Sequence, residues 1–326
     1  MKRWRWVVRS SAEGSIVSGA GADGEDFARG PLVGPAPTLS PFPELWTVTR
    51  AELRRTVRSA RALLLLLIFG TFTLLAGLVI GAITQGIEQQ MDPTQAIQAR
   101  SGLLALLVGG NEEALRALSG LPLLVPLVFR LTLVFLPLYV ALLGFDQLSS
   151  EVGSRSVRYL VVRSRRASIV LGKFAAQALA LAALVAVVVG GLFVAAAFKA
   201  EIQEPLGYAA TALRFWTAGM SLALAYLALT TLASAITSSP AGSLFTNLGF
   251  LLGFWALYLV GARGEAQRQF TGSSSWTEPL KWLSPSAYSS GLLGPPSATL
   301  VSMAAYACFA AVFLAAAWAA FRVRDV

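Results

Sequence analysis

The stretch densest in reactive side chains is GFDQLSSEVGSRSVRYLVVRSRRASIVLGKF, residues 144–174. It carries Asp146, Glu151, Arg155, Arg158, Arg166 and Lys173 between two long apolar runs. Carboxylates and guanidinium groups with no nucleophile–base pair suit ion pairing and charge-assisted hydrogen bonding, not bond cleavage. Glu151 and Arg155 stand at i, i+4, which predicts a pair along one helix. Leu171-Gly172-Lys173-Phe174 shares Gly-Lys with the end of a phosphate-binding loop. Ala167 fills the upstream Gly place and Phe174 the Ser/Thr place, so the Walker A pattern fails. The second candidate is Arg130, the one ionisable residue deep in a predicted membrane run. It lies nine residues from Leu121, about 13 Å at about 1.5 Å per residue. A charge at that depth is costly and usually faces a cavity or a partner, so Arg130 is a candidate cargo-path or gate residue.

The rest of the sequence removes most enzyme classes. There is no histidine and a single cysteine, Cys308, inside an apolar run. Ser-His-Asp and Cys-His catalysis, thiolate metal sites and an internal disulfide are therefore excluded, and no catalytic or metal-binding residue is assigned. Gly19-Ala20-Gly21-Ala22-Asp23-Gly24 matches GxGxxG, but no strand precedes it and no helix follows.

These residues are positioned by apolar runs. The hydrophobic fraction is 56%, only 13% of residues are charged, and mean hydropathy is +0.65. A water-soluble chain could not hide so much apolar surface, and a bilayer span needs about 20 apolar residues. Six runs qualify: about Ala62–Ile83, Leu121–Gly144, Ile169–Phe198, Ala209–Ile236, Ala241–Gly261 and Ala298–Phe321. The expected fold is all-α, a polytopic membrane protein with six transmembrane helices. Residues 1–43 are Gly/Pro-rich and aperiodic, predicting a disordered cytoplasmic tail with no cleavable signal peptide. Residues 44–61 read as an amphipathic interfacial helix, with Leu45, Thr49, Leu53 and Val57 on one face and Trp46 as an anchor. Residues 44–326 form the six-span domain.

The net charge of +9 fits membrane topology better than nucleic-acid binding, because the basic residues flank the runs. Arg50, Arg54, Arg55, Arg58 and Arg61 precede the first run, six more basic residues separate the second from the third, and Arg322 and Arg324 follow the sixth. The opposite connections hold fewer, diluted by Glu112, Glu113, Glu201 and Glu204. Both termini are therefore expected in the cytoplasm. Opposite them, residues 86–120 contain a short amphipathic stretch. Trp276, Trp282 and Tyr288 in residues 262–297 suit an interfacial or re-entrant segment.

The 144–174 segment resembles the signature of type-2, export-type ABC permeases, in particular the nitrous-oxide-reductase maturation and sodium-export subgroup. Asp146, Glu151, Gly153-Ser154, Tyr159-Leu160, Arg166 and Leu171-Gly172-Lys173 occupy the motif places, while Arg163 stands where the pattern carries proline. The resemblance covers roughly residues 44–324. It implies a permease subunit in the cytoplasmic membrane of a prokaryote, working as a homodimer or with a related second permease. A cytoplasmic ABC ATPase subunit would bind ATP and Mg, and this chain would bind no cofactor. It further implies that a coupling segment, residues 146–168, docks on that ATPase through Asp146, Glu151, Arg155, Arg158, Arg166 and Lys173. An ion-coupled secondary transporter would need paired ionisable residues at mid-membrane and inverted repeats. A non-transporting membrane assembly subunit is the other alternative.

Overall fold

The structure is a computed structural model that describes residues 41–90, 92–108, 112–119, 121–156, 159, 164–198, 205–272 and 276–324. The predicted tail and the GxGxxG match at residues 19–24 lie outside these, apart from residues 41–43, which are helical. Ten helices carry the described chain. They are α1 (Pro41–Arg58), α2 (Ala60–Gln90), α3 (Pro93–Val108), α4 (Glu112–Ser119), α5 (Leu124–Gly144), α6 (Ser149–Gly153), α7 (Arg166–Ala197), α8 (Pro205–Ile236), α9 (Pro240–Thr271) and α10 (Pro296–Val323). Among the described residues there is no strand. In a bilayer only helices and closed barrels satisfy every backbone polar group internally.

Six helices, α2, α5, α7, α8, α9 and α10, are long and apolar enough to cross a membrane. Their boundaries have local causes. Proline opens α8, α9 and α10, where its missing N–H costs nothing and its fixed φ is already helical. Ser239 caps α9 by accepting from the Gly242 amide, and Gly272 ends that helix in the left-handed conformation at φ 71°, the usual glycine stop. The span containing Arg130 starts at Leu124, later than Leu121. This places Arg130 only about 9 Å from the helix start. Pro122 and Leu123 form the turn that precedes it.

The spans are unequally buried. In α8 some 78% of the apolar window is buried, against 6% for α2, 11% for α9 and 17% for α10. α8 is thus the axis of the bundle, with α5, α7 and α10 around it. Its core residues include Phe215, Leu222, Leu227 and Leu229, packed with Phe129, Leu136, Val185, Phe193 and Tyr306. α2 lies at the periphery, touching α5 through Phe69 against Tyr139 and Phe72 against Phe135.

The segment expected to be interfacial or re-entrant is ordered as three short 3₁₀ turns, Glu278–Leu283, Pro285–Tyr288 and Gly291–Leu293. Tyr306 donates to the Pro285 carbonyl at 2.9 Å, and Tyr306 is ten residues beyond the start of α10 at Pro296, about 15 Å along the helix. The segment therefore dips into the bundle and returns. Gly261 and Gly264 allow it to lie on α9, since a Cβ at Gly261 would come within 2.7 Å of Lys281 Cα and one at Gly264 within 2.9 Å of the Glu278 amide. α3 and α4 supply the two helical pieces of the residue 86–120 stretch.

Candidate functional site: the polar hub and the inserted segment

The start of α7, the end of α10 and the helix α1 meet at one end of the bundle, called here the basic end. Lys173 is 4% exposed at its side chain, pairs with Glu52 of α1 and donates to Glu151 of α6 at 2.7 Å. Arg55 approaches Glu151 at 3.5 Å and Glu52 at 3.7 Å. One buried ammonium thus bridges carboxylates from two other elements. Such a cluster is stable only while every member is present, because removal of one partner strands the others. The second oxygen of Glu151, Oε2, is buried with no hydrogen-bond partner among the described residues.

Glycine makes the hub possible. A Cβ at Gly172 would come within 2.6 Å of Val48 Cγ1, so only glycine lets α1 cross α7 at this distance. Glu44 of α1 accepts from the Arg165 amide at 2.5 Å, a carboxylate at the positive end of α7. The face of α1 that packs inward is therefore Glu44, Val48, Thr49 and Glu52. The sequence pattern pointed to Leu45, Thr49, Leu53 and Val57; Val57 is instead exposed with Phe42 and Trp46. Leu45 and Leu53 are half-buried beside this face, while Phe42, Trp46 and Val57 are left for a bilayer surface.

The elbow between α5 and α6 is fixed from several sides. The Leu148 and Ser149 amides both donate to Ser234 Oγ of α8, at 2.9 and 3.0 Å. A Cβ at Gly153 would meet the Ser238 carbonyl at 2.8 Å. Gln147 donates to Gln177 of α7 and accepts from Thr231 of α8 at 3.2 Å. Asn247 of α9 reaches Thr230 at 2.9 Å. The side chains of Gln147, Gln177 and Thr230 converge over Gly144, where a Cβ would lie within 2.9 Å of each. A polar layer thus links α5, α7, α8 and α9. A polar cavity of about 240 Å³ opens beside it, lined by Glu52, Arg55, Asp146, Gln147, Lys173 and Gln177.

These positions revise the sequence-derived site. Glu151 and Lys173 come together, and Asp146 lines the adjoining cavity. The expected Glu151–Arg155 pair does not form, because α6 ends at Gly153 and Arg155 turns to φ 58°. Arg155 is exposed and is the one non-glycine residue with positive φ among the described residues. Arg166 points back to the end of α10, donating to the Arg322 carbonyl and, at 3.3 Å, to that of Arg324. Arg324 itself donates to the Ala235 and Thr237 carbonyls at 2.7 and 2.8 Å. Residues 166–168 belong to α7. Arg158 lies outside the described residues. Glu44, Glu52, Arg55, Gln147 and Gln177 were not singled out from sequence. Carboxylates on the first amphipathic helix, opposite a Gly-Lys step opening a span, were the available signal.

At the far end, Arg130 donates to Ser289 Oγ in the inserted segment at 3.4 Å. Arg130 is not the only ionisable residue among the described spans. Arg214 of α8 pairs with the Gly294 carbonyl and, at 2.9 Å, with Thr299 Oγ1. The ring of Phe129 touches that of Phe215 with centroids 4.4 Å apart, which sets the two arginines at one level. Among the described residues no group of three His, Cys, Asp or Glu side chains could hold a metal ion.

Six apolar helices closed at one end by an ionic hub, with an amphipathic helix strapped to it, define a multi-pass membrane protein. Residues 46–326 match the profile of the ABC-2 family transporter protein; the chain belongs to this family and is a membrane permease subunit of an ABC transporter, whose ATP is hydrolysed by a partner ABC ATPase. No curated protein matches the sequence.

Proposed function

We propose that this permease exports its substrate across the cytoplasmic membrane of a prokaryote, with the basic end and both termini in the cytoplasm. It would act as a homodimer or beside a related second permease, with ATP and Mg held by two ATPase subunits and none by this chain. The nitrous-oxide-reductase maturation and sodium-export likeness of residues 144–174 favours export. The observation that carries the mechanism is the elbow at residues 145–155. Its tip, Gly153 to Arg155, is exposed together with Tyr159, while its base is fixed to α8 through Ser234 and to α1 and α7 through Glu151. A push on that tip is delivered to three other elements at once. In this reading Arg155, with Arg158 beside it in sequence, faces the ATPase. Asp146, Glu151, Arg166 and Lys173 position the elbow behind that contact. The ATPase biases the spans between two states through its different affinity for each, as any ligand must. Arg130 lines the cargo path.

Cross-linking tests the docking surface. The single cysteine Cys308 is replaced by alanine and Arg155→Cys introduced. On co-expression with the partner ATPase, a short bifunctional reagent should join the two chains. Purified permease alone should hydrolyse no ATP. ATP hydrolysis by the isolated chain, or full transport with residues 153–159 replaced by a Gly-Ser linker, would overturn the proposal.

A further inference from the structure

Where Arg130 meets the inserted segment, a cation stands without an ion pair among the described residues. Arg130 offers five N–H groups and makes one described hydrogen bond, at 3.4 Å to Ser289 Oγ. Ser289 in turn donates to the Ser286 carbonyl at 2.8 Å, the Ser286 hydroxyl is 3.4 Å from that of Tyr226, and Tyr306 donates to Pro285. The Tyr306 phenol lies within electrostatic reach of both the Tyr226 phenol and the Arg130 guanidinium. The two carboxylates of this region of the chain are paired elsewhere: Glu265 with Lys281 and Glu278 with Arg268. Arg214 adds a second cation at the same level; its Nε is buried with no acceptor among the described residues.

A guanidinium partly withdrawn from water and facing hydroxyls is stabilised by an anion, and the guanidinium fork fits a phosphate or carboxylate with two parallel hydrogen bonds. We propose that Arg130, with Ser286, Ser289 and Tyr226 at the tip of the inserted segment, binds the phosphate or carboxylate group of an anionic substrate. This rests on the permease reading and gives its cargo a chemical class. The anion would replace the long Ser289 contact, so its arrival also changes what holds the inserted segment to α5.

Binding is measured on the purified full chain in a neutral maltoside detergent, by isothermal titration with three probes: dihexanoyl phosphatidate, inorganic phosphate and uncharged dihexanoylglycerol. Phosphatidate should bind and dihexanoylglycerol should not. Arg130→Gln should weaken phosphatidate binding about tenfold or more, the scale of a lost charge-assisted bidentate contact. Arg130→Lys, which keeps the charge but loses the fork, should weaken it severalfold, and it serves alone if circular dichroism shows that Arg130→Gln has lost its helices. Phosphate binding as tightly as phosphatidate supports a small free anion, and phosphatidate alone supports an amphiphile headgroup. Absence of binding by both anions, equal binding of dihexanoylglycerol, or affinity unchanged in both variants would overturn the proposal. No ATPase is present, so a negative result leaves the permease reading standing, and failure to capture an ATPase leaves the binding result standing.

Discussion

At the basic end, a buried ammonium lies between two carboxylates and a neighbouring guanidinium. At the far end, two arginines face hydroxyls and carbonyls, with no carboxylate beside either among the described residues. Both ends withdraw charge from water, which costs several kcal/mol per ion unless it is compensated. The basic end compensates within the chain, so its charges serve to hold α1, α6 and α7 as one block. The far end leaves compensation incomplete and open. An ionic cluster closed on itself is built to transmit force, and an open one is built to receive a partner.

That contrast can be broken most forcefully at Lys173. Lys173→Ala strands Glu52 and Glu151 and should cost about 3–5 kcal/mol of stability, read as a lower thermal midpoint of the detergent-purified chain. Adding Glu151→Gln should recover part of the loss, because the two sites share one network and are not additive. Full additivity would show that the hub is not a unit. Gly172→Ala comes next. Its new methyl group meets Val48 and should cost about 1–3 kcal/mol through overpacking, with partial rescue by Val48→Ala. Arg155→Gly relieves a left-handed non-glycine residue and should raise the thermal midpoint by the equivalent of about 1 kcal/mol, while weakening ATPase capture. The smallest stability effect is expected at Arg130. Arg130→Gln should change unfolding by less than about 1 kcal/mol, since it removes an ion with no paired carboxylate and one long hydrogen bond. A loss at Arg130 as large as that at Lys173 would erase the distinction between the two ends.

The spans were legible because bilayer thickness imposes a length on apolar runs, and the prolines at residues 205, 240 and 296 mark helix starts. The far-end segment was legible through Trp282 and Tyr288, yet nothing local indicated that Pro285 would be drawn in to meet Tyr306. The hub was only half visible. Glu151 and Lys173 belong to one continuous stretch, but Lys173 also pairs with Glu52, 121 residues earlier. No periodicity reports a contact of that separation. Spacing suggested Arg155 as the partner of Glu151. That rule presumes a continuing helix, and the helix stops at Gly153 where the chain must clear the Ser238 carbonyl. Arg214, half-buried with its Nε enclosed, was overlooked because it lies near the start of an apolar run and reads as a flanking charge.

The burial of α8 also sets an order of events during synthesis. Its most extensive neighbour is α10, the last of these six spans to be made, and Arg324 beyond it closes on the Ala235 and Thr237 carbonyls. Until α10 leaves the ribosome, the most protected helix of the finished protein has one side uncovered, where Leu232 and Ala235 later pack with Leu314, Ala317 and Phe321 of α10. The nascent chain must therefore persist as a partly assembled bundle, shielded by lipid or by the insertion machinery. A chain interrupted before α10 would expose the same surface that quality-control proteases and membrane chaperones recognise.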